Sequence, residues 1–176
     1  MATGSQAQRL VAAEDLLCRT EAFRRKVGAA DALAAKEKVY AGELTEVLNL
    51  VAGGTLDVAR PSAILGVERH SYAAAAQNGQ PVLLASGAVW LVFTDRPSNP
   101  TNHKRSLVDF VDWTSRVMDE MAELVGSDYG ALDYTLWPFT QMHQFIEPFR
   151  PDVADRQADD YWLTGYVLLD SQSGGA

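Results

Sequence analysis

A histidine and a glutamate four residues apart, His143 and Glu147, lie in a run of alternating residues, Met142-His143-Gln144-Phe145-Ile146-Glu147. On a strand, positions i and i+4 share a face. The pair could therefore act as acid and base in a small hydrolase; it reads as well as part of a solvated sheet face or contact surface. His70 and His103 are the other histidines, and none falls in an H-x-H or H-E-x-x-H spacing, so a local zinc pattern is missing. Asp155, Asp159 and Asp160 could hold a hard cation, but they do not meet the EF-hand spacing. Cys18 is the one cysteine, so an internal disulfide and a multi-cysteine zinc site are both excluded. It lies beside Leu17 on the apolar stripe of a helix and reads as a small core residue, because a thiol nucleophile needs an electropositive, partly open setting. The phosphate-loop pattern G-x-x-x-x-G-K-S/T, a G-x-G-x-x-G after a strand and the G-x-S-x-G elbow do not occur. The expectation is no enzyme: no catalytic residue, no cofactor and no metal.

The elements that must position these residues belong to a chain of 176 residues with 47% apolar and 22% charged residues. That length suits one compact domain and the composition is globular, which excludes wholesale disorder. No run of about 18 uncharged apolar residues occurs, and residues 1–8 carry no basic segment feeding an apolar one. No membrane association and synthesis in a reducing cytoplasm are expected. The net charge of −8 argues against a surface devoted to phosphate backbone, which shows a basic patch or stripe.

Apolar periodicity predicts one amphipathic helix over 5–27, with Leu10, Ala13, Leu17, Phe23 and Val27 on its stripe. Arg24, Arg25 and Lys26 in its last turn suit the helix dipole, and Gly28 follows as the terminating residue. Asp31 can cap a short helix running towards Val39. Residues 40–60 read poorly, as helix or as strand plus loop, and suggest a surface excursion. Arg60-Pro61 leads a first strand, and Asn78-Gly79 predicts a hairpin turn into the apolar run 82–93. That run is apolar on both faces from Val89 to Phe93, which predicts a covered central strand with Trp90 in the core and a bulge at Ser86-Gly87. A long helix follows from Ser106, where Ser106 and Asp109 form a capping signal, to Gly126. Two strands, 139–149 and 161–170, complete the order.

The fold class expected is α+β: a small, mainly antiparallel sheet flanked by helices, in the order helix-helix-strand-strand-helix-strand-strand. It forms one domain over 1–170, with 171–176 as a flexible tail. Trp113 falls off the main stripe of the long helix and suggests an interface aromatic. With Arg96, the basic pair Lys104-Arg105 and His143, it makes up the candidate contact residues.

The layout resembles a phage protein family. The run Leu16-Leu17-Cys18 through Glu21-Ala22-Phe23 to Val27-Gly28-Ala29-Ala30-Asp31 is similar to the opening helix of prophage neck and tail-completion proteins. Lys38-Val39-Tyr40, the strand at Arg60-Pro61-Ser62-Ala63-Ile64, the strand 87–93, the helix from Ser106 and the strand at Tyr161-Trp162 fall in that family's order. The resemblance covers residues 10–170 and carries no catalytic motif. It implies a tail terminator, a structural virion protein that forms a ring, usually of six copies, on the head-proximal end of the tail tube. The implied partners are copies of itself, the tail tube protein, and a head-closure or connector protein; DNA would only pass through the bore. A head-closure or connector role is the nearest alternative. A small hydrolase using His143 and Glu147, or a free-standing binding module, remains open from the residues alone.

Overall fold

The computed structural model describes residues 5–41, 61–77, 80–99, 101–127, 139–147 and 163–172. Helices α1 (Ser5–Arg19), α2 (Glu21–Val27) and α3 (Ala32–Lys36) precede strands β1 (Val39–Ala41), β2 (Ser62–Gln77) and β3 (Gln80–Asp95). Helix α4 (His103–Ser127) and strands β4 (Phe139–Glu147) and β5 (Leu163–Gln172) complete the order. The five strands form one sheet in the order β1-β2-β3-β5-β4. All neighbours pair antiparallel except β1, which runs parallel to β2 with Tyr40 opposite Ile64. The fold is α+β with a mainly antiparallel sheet.

The first helix is two helices, because the chain turns at Thr20. Thr20 is buried with an extended backbone (φ −64°, ψ 135°), and its hydroxyl donates to the Leu17 carbonyl at 2.7 Å. A threonine hydroxyl that satisfies a backbone carbonyl competes with the helical bond there. Helix α2 then lacks a side-chain cap of its own. Glu120 of α4 supplies one, accepting from the Ala22 N–H at 3.0 and 3.2 Å. At the far end Gly28 adopts φ +72°, and the N–H groups of Gly28 and Ala29 donate to the carbonyls of Arg25 and Arg24. This double bond around a left-handed residue is the expected glycine stop. Asp31 caps α3, its carboxylate accepting from Ala34 N–H at 2.8 Å. Lys36 ties α3 to α1 through Asp15 and Glu14.

The core lies between the helices and one sheet face. Leu16, Leu17, Cys18 and Phe23 meet Leu65, Val89, Leu91 and Phe93 from the sheet and Phe110, Val117 and Met121 from α4. Register puts Ala63 opposite Phe93 and Leu65 opposite Leu91. Ile64 and Val92, also opposite each other, occupy the alternate positions and are as fully buried. Both faces of β3 are thus covered there, as its two-sided apolar pattern requires.

Several expectations change. Trp90 is half-buried and outside the core, because it shares the parity of Val92 and not that of Leu91 and Phe93. The bulge sits at Glu68 of β2, while Ser86 and Gly87 pair regularly with Ser71 and His70. β1, which had no clear sequence signal, joins the sheet edge; residues 42–60 lie outside the described residues. β5 runs on to Gln172, with Ser171 paired to Gly87, so the strand passes the Asp170 expected as its end. The last two strands also exchange places in space: β5 lies between β3 and β4.

Candidate functional site: the assembly surfaces

The hairpin outgrows the sheet that carries it. β2 and β3 are each 16 residues long and paired to Gln77 opposite Gln80, the register that a two-residue Asn78-Gly79 connection demands. β5 accompanies β3 only from Ser86 to Asp95, and β1 accompanies β2 only from Ala63 to Leu65. Residues 72–77 and 80–85 therefore form a two-stranded ribbon with no third strand among the described residues. At the usual strand rise the ribbon is about 20 Å long. No charged residue occurs from Ser71 to Ser86, which read Ser-Tyr-Ala-Ala-Ala-Ala-Gln-Asn-Gly-Gln-Pro-Val-Leu-Leu-Ala-Ser. An isolated two-stranded hairpin is marginal in water. An uncharged one with open edges is a template for pairing with another chain.

The predicted contact residues separate into distinct places. Arg96 is exposed just past β3, its N–H donating to the Asp95 carboxylate at 2.8 Å. Lys104 and Arg105 are exposed in the first turn of α4. That helix begins one turn before the expected Ser106: Asn102 caps it, its side-chain oxygen accepting from Arg105 N–H at 3.0 Å. Ser106 is buried instead, and its hydroxyl accepts from Asn99 N–H and donates to the Asn99 carbonyl. Asp109 takes the Ser98 hydroxyl at 2.6 Å and Arg105 Nε at 2.9 Å. The apparent capping signal thus fastens the loop after β3. Cations at a helix start oppose the dipole, which Arg105 offsets by its i,i+4 pair with Asp109.

Trp113 is corrected from surface to core. It is 6% exposed and meets Phe93 and Phe110 edge-on, at ring centroid distances of 5.5 and 5.6 Å. Helix α2 covers that flank of α4, which single-helix periodicity does not show; Lys26 Nζ lies 5.4 Å from the indole centroid. The Trp113 indole N–H has no hydrogen-bond partner among the described residues. Beside it runs an α2–α4 cleft of about 380 Å³. Its charged groups are tied up: Arg25 with Glu21, Arg116 with Asp112, and Glu120 on the Ala22 N–H. The cleft is the seam between two helices.

His143 and Glu147 do share a face of β4, with register partners Leu168 and Thr164. They stand on the sheet's outermost strand, far in sequence and in sheet order from His70, which pairs with Gly87 in β2. No group of three His, Cys, Asp or Glu placed to hold a metal occurs among the described residues, and Asp155, Asp159 and Asp160 lie outside them. Cys18 is fully buried, and burial, with Glu14 beside it, pushes its thiol up to about 12. A thiol held so far from ionisation is inert. Among the described residues, no helix is long and apolar enough to cross a membrane.

No protein-family model matches the chain, and no curated protein matches it.

Proposed function

We propose that this protein is a structural ring subunit, a tail terminator that caps the head-proximal end of a phage tail tube. The observation that carries the reading is the uncharged ribbon 72–77/80–85, which extends beyond β1 and β5. A helix-backed sheet holds its base, and a neighbouring chain would satisfy the edges that are open among the described residues. The element order that resembles tail-completion proteins narrows the assembly to a virion neck. The net charge of −8 suits a bore past which DNA slides, since like charges repel.

Sedimentation velocity and negative-stain microscopy test the reading. A bounded ring of about six copies, which stops the growth of tail tubes when added during their assembly, is the expected result. A monomer at micromolar concentration, or tubes that lengthen past the added protein, overturns it. A ring that binds portal-side partners and leaves tube length unchanged points to the connector role instead.

A further inference from the structure

We propose that the far end of the ribbon in one protomer, Gln77 to Gln80, seats in the α2–α4 cleft of the next, where a carboxamide oxygen accepts from the Trp113 indole N–H. This inference rests on the ring-subunit reading and names the contact that joins the copies.

The first observation is an unsatisfied donor. Trp113 is one of the residues that line the cleft, it is buried, and its N–H finds no acceptor among the described residues. A buried donor without a partner carries its desolvation cost unrelieved, so an oxygen delivered there is favourable.

The second is charge. The cleft is lined by three cations, Arg25, Lys26 and Arg116, and three carboxylates, Glu21, Asp112 and Glu120. Each is engaged: Arg25 with Glu21, Arg116 with Asp112, Lys26 with Asp95, and Glu120 with the Ala22 N–H. A charged ligand would have to break one of these contacts and strand a group; a neutral acceptor would not. The Arg25 and Arg116 side chains are 79% and 68% exposed. Their pairs are surface pairs, which contribute little and rearrange easily, so these side chains can part to admit another.

The third is the occupant. Gln77-Asn78-Gly79-Gln80 places three carboxamides within four residues, inside the uncharged run 71–86. Gln77 and Gln80 are the last register pair of the hairpin. A carboxamide is neutral and offers both halves of the match: its oxygen accepts from the indole, and its NH₂ can donate to the carboxylates beside it.

The fourth is distance. β3 starts at Gln80 and ends at Asp95. The cleft sits at the Asp95 end, because Lys26 pairs with Asp95 and Trp113 meets Phe93. From Gln80 to Phe93 a strand covers about 40 Å. The hairpin end is thus out of reach of its own cleft and within reach only of a second copy's. Projection and recess are different surfaces at opposite ends of one chain, so the contact is heterologous, the kind that closes into rings.

Paired cysteines test the contact, joined by a short bismaleimide; the buried Cys18 does not compete. Q80C mixed with R116C is expected to give linked pairs and nothing larger. Q80C/R116C should give a ladder ending at the ring's copy number, and each single variant alone should give no link. Linked pairs from R116C alone, or a link within one Q80C/R116C chain, overturn the contact. As a second readout, Q77V/N78G/Q80V removes all three carboxamides and keeps residues that strands and a tight turn accept. It and W113F should each raise the concentration for half-dissociation several-fold, and their combination should be no weaker than the weaker of the two. Effects that simply multiply overturn the contact. A ring of normal mass that shows no mixed link and ignores the carboxamide changes, its indole N–H served by water only, overturns the contact and leaves the ring intact. An unmodified chain that is monomeric overturns both.

Discussion

Lys26 in the last turn of α2 donates to Asp95 at the end of β3, with Nζ 2.6 Å from Oδ2. The same ammonium faces the Trp113 ring. One cation thus joins a helix, the central strand and the long helix behind them. The Asp95 side chain is only 9% exposed, and Lys26 is the cation paired with it.

Removing the partner should cost more than a surface ion pair does. A buried carboxylate that loses its cation still pays its desolvation penalty without the attraction that offset it, and the Arg96 N–H alone then serves Asp95. K26M is expected to lose about 2 kcal/mol, which lowers Tm by roughly 4–8 °C for a domain of this size. K26M/D95N should recover most of the loss, since no charge is then stranded. Calorimetry on the three variants checks this; a K26M midpoint equal to that of the parent would show that the contact contributes nothing.

Cys18 sets an alkaline limit. Its thiol ionises near pH 9 in the unfolded chain and at about 12 when folded. Between those values the unfolded state sheds a proton that the folded state keeps, so stability falls as pH rises, and below pH 9 the group has no effect. The parent should therefore lose more stability from pH 9 to 11 than C18A does, measured by urea unfolding. Lys36 is raised chiefly by its hydrogen bond to Asp15, with Cys18 the smallest of the causes, so its contribution differs little between the two chains. An Ellman-type reagent should label the folded parent at pH 8 only as fast as it unfolds; rapid labelling contradicts the buried thiol.

The loop after β3 can be followed through one carboxylate. Asp109 is held below its ordinary value, first by the Ser98 hydroxyl and then by Arg105. In S98A it should titrate at higher pH, which carbon-detected NMR reads directly. A depressed carboxylate stabilises above its unfolded pKa and loses that contribution as pH falls. The stability gap between parent and S98A should accordingly close on acidification. An unmoved Asp109 titration would show that Ser98 does not hold the loop.

The sequence carried the elements with strong local signals. Asp31, Gly28 and the stripe from Phe110 to Met121 each act within a few residues, and each does what its type implies; Asn78 and Gly79 lie outside the described residues, between the paired Gln77 and Gln80. What failed needed a distant partner. The break at Thr20 depends on Glu120 supplying the cap 98 positions away. Trp113 looked polar-sided because α2, which buries it, is not visible from the period of α4. Ser106 and Asp109 had the right spacing for a capping box, but Asn102 took that role, one turn earlier. β1 has three residues and no pattern of its own; its place comes from β2. Of the candidate contact residues, Arg96, Lys104 and Arg105 are exposed as expected. The ribbon was legible only as a hairpin, since its overhang is fixed by where β1 and β5 stop.

The place of β5 between β3 and β4 has a temporal meaning. During synthesis β4 leaves the ribosome before β5, yet among the described strands its neighbour is β5 alone. β4 has to wait, unpaired, until the later strand arrives and slots in beside β3. A half-made chain therefore cannot present a finished outer margin.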